Sequence, residues 1–246
     1  FMRGINFVQI PTTLLAQVDA CIGGKNGFNY LGTKNLIGTF YNPSATIIDP
    51  DLLQTLSARE YKAGLAEIIK YGMACDAELF IWLEENTFEL NQKNYDILAV
   101  VIARCCKIKL AIVENDQTDR GQRQILNFGH TFAHALEAST VFNYYLHGEA
   151  VALGMLLATW LAVKLDMADQ KLLRRLKALL KRLNLPTQID FSKCSTDSLV
   201  RHLVNDKKKE YKQLTLILPY ELGKVKIVKN LELDYLQDLL GEYAST

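Results

Sequence analysis

The chain has 246 residues, of which 49% are hydrophobic and 22% are charged, with a formal net charge of +1. A chain of this length can form one large domain or two small ones, and its composition is that of an ordinary globular protein. The near-neutral charge gives no reason to expect nucleic acid or a membrane surface as a partner.

The cysteines are five in number and show no CxxC spacing. We therefore expect reduced thiols and a cytoplasmic location. The longest apolar stretch, residues 150–163, is too short to span a bilayer, and we predict that it forms a buried helix.

The first fifty residues are irregular and rich in glycine, with strand-like runs at 7–10 and 45–49. Between the two runs lies Gly23-Gly24-Lys25-Asn26-Gly27. Exposed glycine amides and a lysine are typical of an anion-binding loop, although a simple turn fits the same residues. The loop is not a Walker A motif, because Asp19 and Asn26 stand where that motif needs Gly and Ser or Thr.

After Pro50 the pattern becomes helical. Ser57 and Glu60 form a predicted capping box, and Asp76 is a predicted cap for a second helix. A third helix over 97–112 is expected to break at 115–121. The histidine segment 123–138 is predicted to be helical even though Gly129 costs about 1 kcal/mol relative to Ala. Further helices are predicted at 149–165, 169–183, 196–204 and 232–240.

The end of the chain contains a predicted β-hairpin, with strands at 213–218 and 224–228. We predict a mainly α fold with a few short strands and this small C-terminal hairpin. Residues 1–50 are expected to complete a cleft against a helical metal- and substrate-binding domain, residues 51–246, with which they form one structural unit.

Three of the four histidines, His130, His134 and His147, fall within eighteen residues. Imidazole is the commonest nitrogen ligand for zinc and cobalt, and residues four apart share a helix face. The three histidines together are one possible ligand set. Two histidines with one carboxylate are another, and the carboxylate candidates are Glu67, Glu137 and Glu149.

Glu67 lies in an apolar helical segment with Lys70 one turn later, which fits either a functional pair or an ordinary ion pair on a helix surface. Other cations also occur in apolar or glycine-rich segments, and they favour a pocket for a small, multiply anionic substrate. Taken alone, the lysine run among them fits a solvated loop better. These cations are Lys25, Lys34, Lys70, Lys109, Arg123 and Lys207-Lys208-Lys209.

Several of these segments, in this order, resemble the 3-dehydroquinate synthase family. The resemblance is dense up to about Met155 and thins to Asp206-Lys207-Lys208. The matching motifs are Met2-Arg3-Gly4, the run 10–19, Gly23-Gly24-Lys25, the run 34–38, Gly64-Leu65-Ala66-Glu67-Ile68-Ile69-Lys70-Tyr71-Gly72, the run 126–135 and Leu146-His147-Gly148-Glu149-Ala150-Val151.

The resemblance implies a role for each matching residue. The implied metal ligands are Glu67, His130 and His147. The implied catalytic residues are Asp19, an active-site acid, and Lys70, Asn127 and His134, which contact the substrate phosphate. The implied carboxylate-binding residues are Lys25 and Arg123, with Lys109 nearby, and the further substrate contacts are Asn35 and Lys207 or Lys208. The implied cofactor-binding residues are Asp19, Lys25 and Lys34. Arg3 matches an arginine that reaches the neighbouring subunit's site, which implies a homodimer.

The family reaction converts 3-deoxy-D-arabino-heptulosonate 7-phosphate to 3-dehydroquinate and phosphate in the shikimate pathway, with zinc or cobalt and NAD. Family members carry a Rossmann-like, glycine-rich NAD domain before the Met-Arg-Gly motif, and none precedes Phe1. We therefore expect the chain to bind zinc but to be catalytically poor alone.

Three other functions remain open from the sequence. A sugar-phosphate cyclase such as 2-deoxy-scyllo-inosose synthase uses a substrate without a carboxylate, and Lys25 and Arg123 argue against it. A metal-dependent polyol dehydrogenase would not need so many cations. A non-catalytic metal-binding or oligomerisation fragment is the third.

Overall fold

The structure is a computed structural model that describes residues 5–30, 33–117, 119, 121–205 and 214–244. Helices dominate these ranges, as the sequence predicts. No helix within them is long and apolar enough to cross a membrane. The helices are α1 (Ala58–Ala74), α2 (Ala77–Glu85), α3 (Thr87–Asn91), α4 (Tyr95–Asn115), α5 (His130–Ser139), α6 (His147–Lys164), α7 (Gln170–Arg182), α8 (Thr196–Asn205) and α9 (Leu233–Ala244).

Helix α6 is the centre of the fold. Every residue from 150 to 159 is buried, so the helix is enclosed on all sides, as predicted for the apolar stretch 150–163. It packs against α1, α5 and α7 and against the C-terminal hairpin. Leu14 and Val18, from the irregular first segment, are fully buried in the same core.

The strands are short and form three separate pairs among the described residues. β1 (Val8–Gln9) and β4 (Ala45–Thr46) are parallel, while β2 (Phe28–Tyr30) and β3 (Thr33–Ile37) are antiparallel. The predicted hairpin is present as β5 (Leu214–Glu221) and β6 (Lys224–Leu231). It is longer than predicted, because Pro219 pairs with Val225 within the ladder instead of lying in the connection. A two-stranded sheet has a free edge on each strand, where a proline is tolerated.

Local capping sets where the helices begin. The Ser57 hydroxyl accepts a hydrogen bond from the Glu60 N–H at 3.3 Å, and an Asp76 carboxylate oxygen accepts one from the Leu79 N–H at 3.0 Å. Both caps were predicted from the sequence, and of the predicted Ser57–Glu60 capping box the structure shows the hydrogen bond to the Ser57 hydroxyl. Each satisfies an amide that has no partner within its own helix.

The prediction of one helix over 123–138 is wrong. A 3₁₀ helix covers Gln122–Asn127, the chain then turns at Phe128-Gly129, and α5 begins only at His130. Gly129 has φ +79°, a conformation that strongly favours glycine. A Cβ at this position would lie 2.7 Å from Cγ of Met155 in α6, so the turn is held tightly against that helix.

Two more glycines bring the site-bearing helices together. A Cβ on Gly148 would lie 1.8 Å from the carbonyl oxygen of Ala63, so α6 begins in direct contact with the backbone of α1. A Cβ on Gly154 would lie 2.1 Å from the Gly129 carbonyl oxygen. The start of α6 therefore lies against α1, and the turn that begins α5 lies against the middle of α6.

Candidate metal and substrate site

Three predicted ligands meet where these helices converge. Glu67 comes from the middle of α1, while His130 and His147 are the first residues of α5 and α6. One ligand atom from each residue lies within 4.8 Å of the other two. Oε1 of Glu67 is 3.4 Å from Nε2 of His130 and 3.6 Å from Nε2 of His147.

Both imidazoles turn their Nε2 atoms toward Glu67 and their Nδ1 atoms away from it. Nδ1 of His130 lies 3.2 Å from the carbonyl oxygen of Phe128, and Nδ1 of His147 lies 2.9 Å from Oε1 of Glu137. An acceptor at Nδ1 favours the tautomer that carries its proton there, which leaves the Nε2 lone pair free for a metal ion.

The burial of Glu67 also supports a metal site at these three residues. The residue is 0% exposed, and its Oε1 accepts no hydrogen bond of normal geometry. Burial raises the pKa of this carboxyl, but the Lys70 ammonium and the His130 imidazole outweigh burial and hold the pKa well below its ordinary value. A buried, ionised oxygen that faces two imidazole nitrogens fits a divalent cation of the zinc or cobalt type.

The other ligand candidates lie elsewhere. Glu149 accepts a hydrogen bond from the Leu146 N–H at 2.8 Å and forms a two-point ion pair with Arg59, so it secures the start of α6. Glu137 lies behind His147. The His134 ring centroid is 5.7 Å from that of His130, and His134 is not in the group whose ligand atoms converge.

The Lys70–Glu67 pair is buried, not on a helix surface. Lys70 is 2% exposed, and its Nζ lies 2.5 Å from Glu67 Oε2 and 3.7 Å from Asp19 Oδ1. The same Asp19 oxygen accepts hydrogen bonds from Lys109 Nζ at 2.8 Å and from the Tyr71 hydroxyl at 2.5 Å. Asp19 lies in a π-helical turn, Ala16–Ala20, which packs against α4.

The charges in this network determine its protonation. Burial raises the pKa of Asp19, but Lys70 and Lys109 outweigh it and hold the pKa well below the ordinary value. Burial lowers the pKa of Lys109, and Asp19 opposes that effect without cancelling it. The network therefore holds a carboxylate between two buried ammonium groups.

A small cavity of about 80 Å³ joins this network to the other predicted cations. Of the implied substrate contacts whose side chains the structure describes, all but His134 meet here. The cavity is lined by Asp19, Lys25, Lys70, Lys109, Asp119, Arg123, Leu126, Asn127 and His130. Four cationic side chains face two carboxylates around this small space, and the net positive charge suits an anionic group.

The glycine loop contributes to this cavity by accommodating Arg123. Gly23 has φ +96°, and a Cβ there would lie 2.3 Å from Nη2 of Arg123. The guanidinium, 3% exposed, donates to the carbonyl oxygens of Gly23 and Gln117 at 3.2 and 3.0 Å. Lys25 forms an ion pair with Asp119 at 2.5 Å.

Asp119 is a site residue that the sequence analysis missed. It lines both the small cavity and an adjoining cleft of about 400 Å³. Its Oδ1 is buried without a hydrogen-bond partner, and its φ of +59° is uncommon for a residue other than glycine. The available signal was its position in a polar loop just before Arg123.

The larger cleft contains two of the three implied phosphate contacts, Asn127 and His134, while the third, Lys70, lines the small cavity. The cleft is lined by Asn127, His130, Thr131 and His134 from one side and by Thr215 and Ile217 of β5 from the other, with Asp119 and Gln124. Asn127 and His130 line both spaces, so the small cavity and the cleft adjoin at His130, one of the three converging residues.

Some predicted residues cannot be placed. Arg3, Lys207 and Lys208 lie outside the described residues. Lys34 and Asn35 belong to β3, and their side chains also lie outside the described part of the chain.

Comparison with known proteins places these features in a family. The sequence model described as "3-dehydroquinate synthase C-terminal" matches residues 64–209, and the one described as "3-dehydroquinate synthase N-terminal" matches residues 1–63. The 3-dehydroquinate synthase of Dictyoglomus thermophilum is 50% identical over 236 residues, which are 94% of this chain and 64% of that protein. The chain thus spans less than two thirds of the length of this relative.

Two solved structures resemble the fold closely. The 2-epi-5-epi-valiolone synthase ValA from Streptomyces hygroscopicus subsp. jinggangensis, with NAD⁺ and Zn²⁺ bound, has a TM-score of 0.89 at 31% identity over 99% of this chain and 68% of that chain. A 2-deoxy-scyllo-inosose synthase complexed with carbaglucose-6-phosphate, NAD⁺ and Co²⁺ has a TM-score of 0.87 at 25% identity, covering 98% of this chain and 67% of that chain. By its sequence and its fold, the chain belongs to the 3-dehydroquinate synthase family.

Proposed function

We propose that this chain carries the metal- and substrate-binding part of a 3-dehydroquinate synthase. Such an enzyme converts 3-deoxy-D-arabino-heptulosonate 7-phosphate to 3-dehydroquinate and phosphate, in the shikimate pathway. The observation that carries the proposal is the Glu67, His130 and His147 cluster beside a cavity lined by four cations. A divalent ion next to a pocket whose four cations outnumber its two carboxylates suits a substrate with two anionic ends.

The three converging residues would hold Zn²⁺ or Co²⁺, the ions bound in the two similar structures. Three protein ligands leave a position open to substrate oxygen, as catalytic zinc sites require. When bound, the metal supplies Lewis acidity toward a substrate hydroxyl, and NAD supplies reversible oxidation at that carbon.

The residues of the chain hold the two ends of the substrate apart. Lys25 and Arg123 would bind the carboxylate, with Lys109 nearby, while Lys70, His134 and Asn127 would bind the phosphate. Fixing both anionic ends lowers the entropic cost of the steps that follow. The cations around the phosphate also stabilise the negative charge that grows on it as it leaves.

Asp19 has a separate task in this proposal. Two ammonium groups and the Tyr71 hydroxyl keep its carboxylate ionised and fixed at the edge of the cavity. An ionised oxygen there can accept a hydrogen bond from a substrate hydroxyl or from the cofactor, and it thereby sets the orientation of the bound molecule.

A second candidate is another sugar-phosphate cyclase, because the two similar structures are enzymes of that kind. The distinguishing feature is the substrate carboxylate. Glucose 6-phosphate has none, so it would bring no carboxylate to Arg123 or to Lys25, which is paired with Asp119. Their position in the small cavity favours the carboxylated substrate.

Calorimetric binding to the zinc-loaded protein tests the proposal. With NAD present, we expect the heptulosonate phosphate to bind at least about tenfold more tightly than glucose 6-phosphate, because charged hydrogen bonds to a carboxylate are strong. Replacement of Arg123 by Lys should remove most of that difference. Equal affinities would favour the second candidate, and no binding of either would favour a non-catalytic metal-binding fragment.

The activity and assembly of the whole protein belong to the same proposal. We propose a cytoplasmic homodimer in which an arginine, Arg3, reaches the neighbouring site. We also propose that a polypeptide of this length alone releases phosphate poorly. Sedimentation and a phosphate-release assay with stoichiometric NAD test both statements. Monomers at working concentration, or robust turnover, would contradict them.

A further inference from the structure

Glu137 occupies a position behind the metal cluster to which neither the comparisons nor the proposed reaction gives a role. It lies on α5, seven residues after His130, and is 6% exposed. Its Oε1 faces Nδ1 of His147 at 2.9 Å. The two histidines of the cluster thus have different supports, because His130 faces a backbone carbonyl and His147 faces a buried carboxylate.

The position of His147 explains why it needs a side-chain support. It is the first residue of α6, and its side chain is 33% exposed, compared with 13% for His130. An imidazole at the open rim of a site can rotate about its side-chain bonds. Such rotation would carry Nε2 away from Glu67 Oε1, which lies 3.6 Å from it.

We propose that Glu137 is a positioning residue for the metal, an inference that rests on the proposed metal centre. Its carboxylate accepts a hydrogen bond from Nδ1–H of His147, which fixes the ring orientation and leaves Nε2 as the ligand atom. A carboxylate acceptor also makes the imidazole a stronger donor to the ion than a carbonyl acceptor does. The Glu137 carboxylate also adds negative charge near the metal site, where the charge of Glu67 is partly offset by Lys70.

A purely structural role for Glu137 makes a different prediction. The Glu137–His147 contact joins α5 to the start of α6, so its loss would lower stability with or without metal. A positioning role requires a change in metal affinity that remains after the effect on folding is measured separately. Metal affinity and metal-free stability therefore have to be measured on the same variants.

The experiment compares Glu137→Ala, Glu137→Gln and Thr159→Val with the unmodified chain. Thr159 is a suitable control because it is fully buried on α6 and its hydroxyl donates to the Met155 carbonyl oxygen at 2.7 Å. It lies twelve residues after His147, about 18 Å along the helix. Zinc affinity is measured by competition with a chromophoric chelator, unfolding is measured in EDTA, and the visible spectrum of the Co²⁺ form reports ligand geometry.

We expect Glu137→Ala to weaken zinc binding by about 10- to 100-fold. Glu137→Gln keeps a neutral acceptor and should weaken binding by about three- to tenfold, with an altered Co²⁺ spectrum. Thr159→Val should bind zinc as the unmodified chain does. Zinc affinity of Glu137→Ala within about twofold of the unmodified chain would overturn the inference.

If Glu137→Ala does not fold, Glu137→Gln provides the test. Unchanged zinc affinity of Glu137→Gln together with an unchanged Co²⁺ spectrum would then overturn the inference. Failure of the unmodified chain to bind zinc is a different result, because it removes the proposed metal centre itself and the inference with it.

Discussion

Replacement of Gly148 by Ala tests whether the contact between α1 and α6 builds the metal site. The new Cβ would lie 1.8 Å from the Ala63 carbonyl oxygen, whereas real Cβ contacts are essentially never under 3.0 Å. The helices must therefore separate locally by about 1.2 Å or more, and overpacking of this kind costs about 3 kcal/mol. Glu67 lies one turn after Ala63, and His147 directly precedes Gly148, so the separation moves two ligands apart.

A zinc–nitrogen bond is about 2.0 Å long, and a displacement of more than half that length removes a ligand. We therefore expect zinc affinity to fall by at least about 100-fold, which is more than the loss expected when a residue that only hydrogen-bonds a ligand is changed. The assays are urea unfolding in EDTA and chelator competition.

Gly241→Ala is the matched control. Gly241 is a helical glycine in α9 whose added Cβ would meet nothing within 4 Å. This change should stabilise the chain by up to about 1 kcal/mol and leave the zinc affinity unchanged. Gly148→Ala with stability within about 0.5 kcal/mol of the unmodified chain and unchanged zinc affinity would refute the reasoning.

Three further changes test other parts of the account. Asp76→Asn should keep the cap on α2 and lose the ion pair with Arg104 at 2.7 Å. Burial raises the pKa of Asp76, but the hydrogen bonds from Arg104 and Leu79 outweigh burial and lower the pKa from its ordinary value of 3.8. The ion pair therefore stabilises the folded chain above pH 3.8, and this stabilisation is lost as the pH falls through the pKa of the folded state. A cost of about 0.5–1 kcal/mol at pH 7 that vanishes in acid is expected from urea midpoints, and a pH-independent cost would contradict it. Val141→Gly should stabilise by about 0.5 kcal/mol, because Val141 is 73% exposed with φ +52°, and a clear loss of stability on urea unfolding would count against strain there. Gly23→Ala should lower the affinity for the heptulosonate phosphate measured by calorimetry, because its Cβ would collide with Arg123, the proposed carboxylate-binding residue, and unchanged affinity would show that the loop can move at no cost.

Most of the longer helices and the caps at Ser57 and Asp76 could be predicted from the sequence because their determinants are local, whereas the short α3 was not predicted. Ser57 and Asp76 each satisfy an amide three residues away, and the apolar stretch that became α6 needs no partner to be recognised. The break at Gly129 could not be predicted in this way. It depends on the approach of Met155, which lies 26 residues away in sequence and meets the turn only in the folded chain.

The choice among the carboxylates also depended on tertiary structure. Spacing alone left Glu67, Glu137 and Glu149 as candidates, and the family resemblance selected Glu67. The structure gives the three residues separate positions. Glu67 lies in the cluster, Glu137 contacts Nδ1 of His147, and Glu149 forms an ion pair with Arg59. Asp119 was missed because its loop carries no periodic pattern, and only the fold brings it to the cavity.

Zinc titration of the metal-free chain and of Glu67→Gln and His134→Ala tests the central claim most directly. We predict one zinc ion per chain, loss of tight binding in Glu67→Gln, and retention of it in His134→Ala, with folding checked by circular dichroism in EDTA. Tight binding that survives Glu67→Gln but disappears in His134→Ala would show that the three histidines hold the metal, and it would contradict the account.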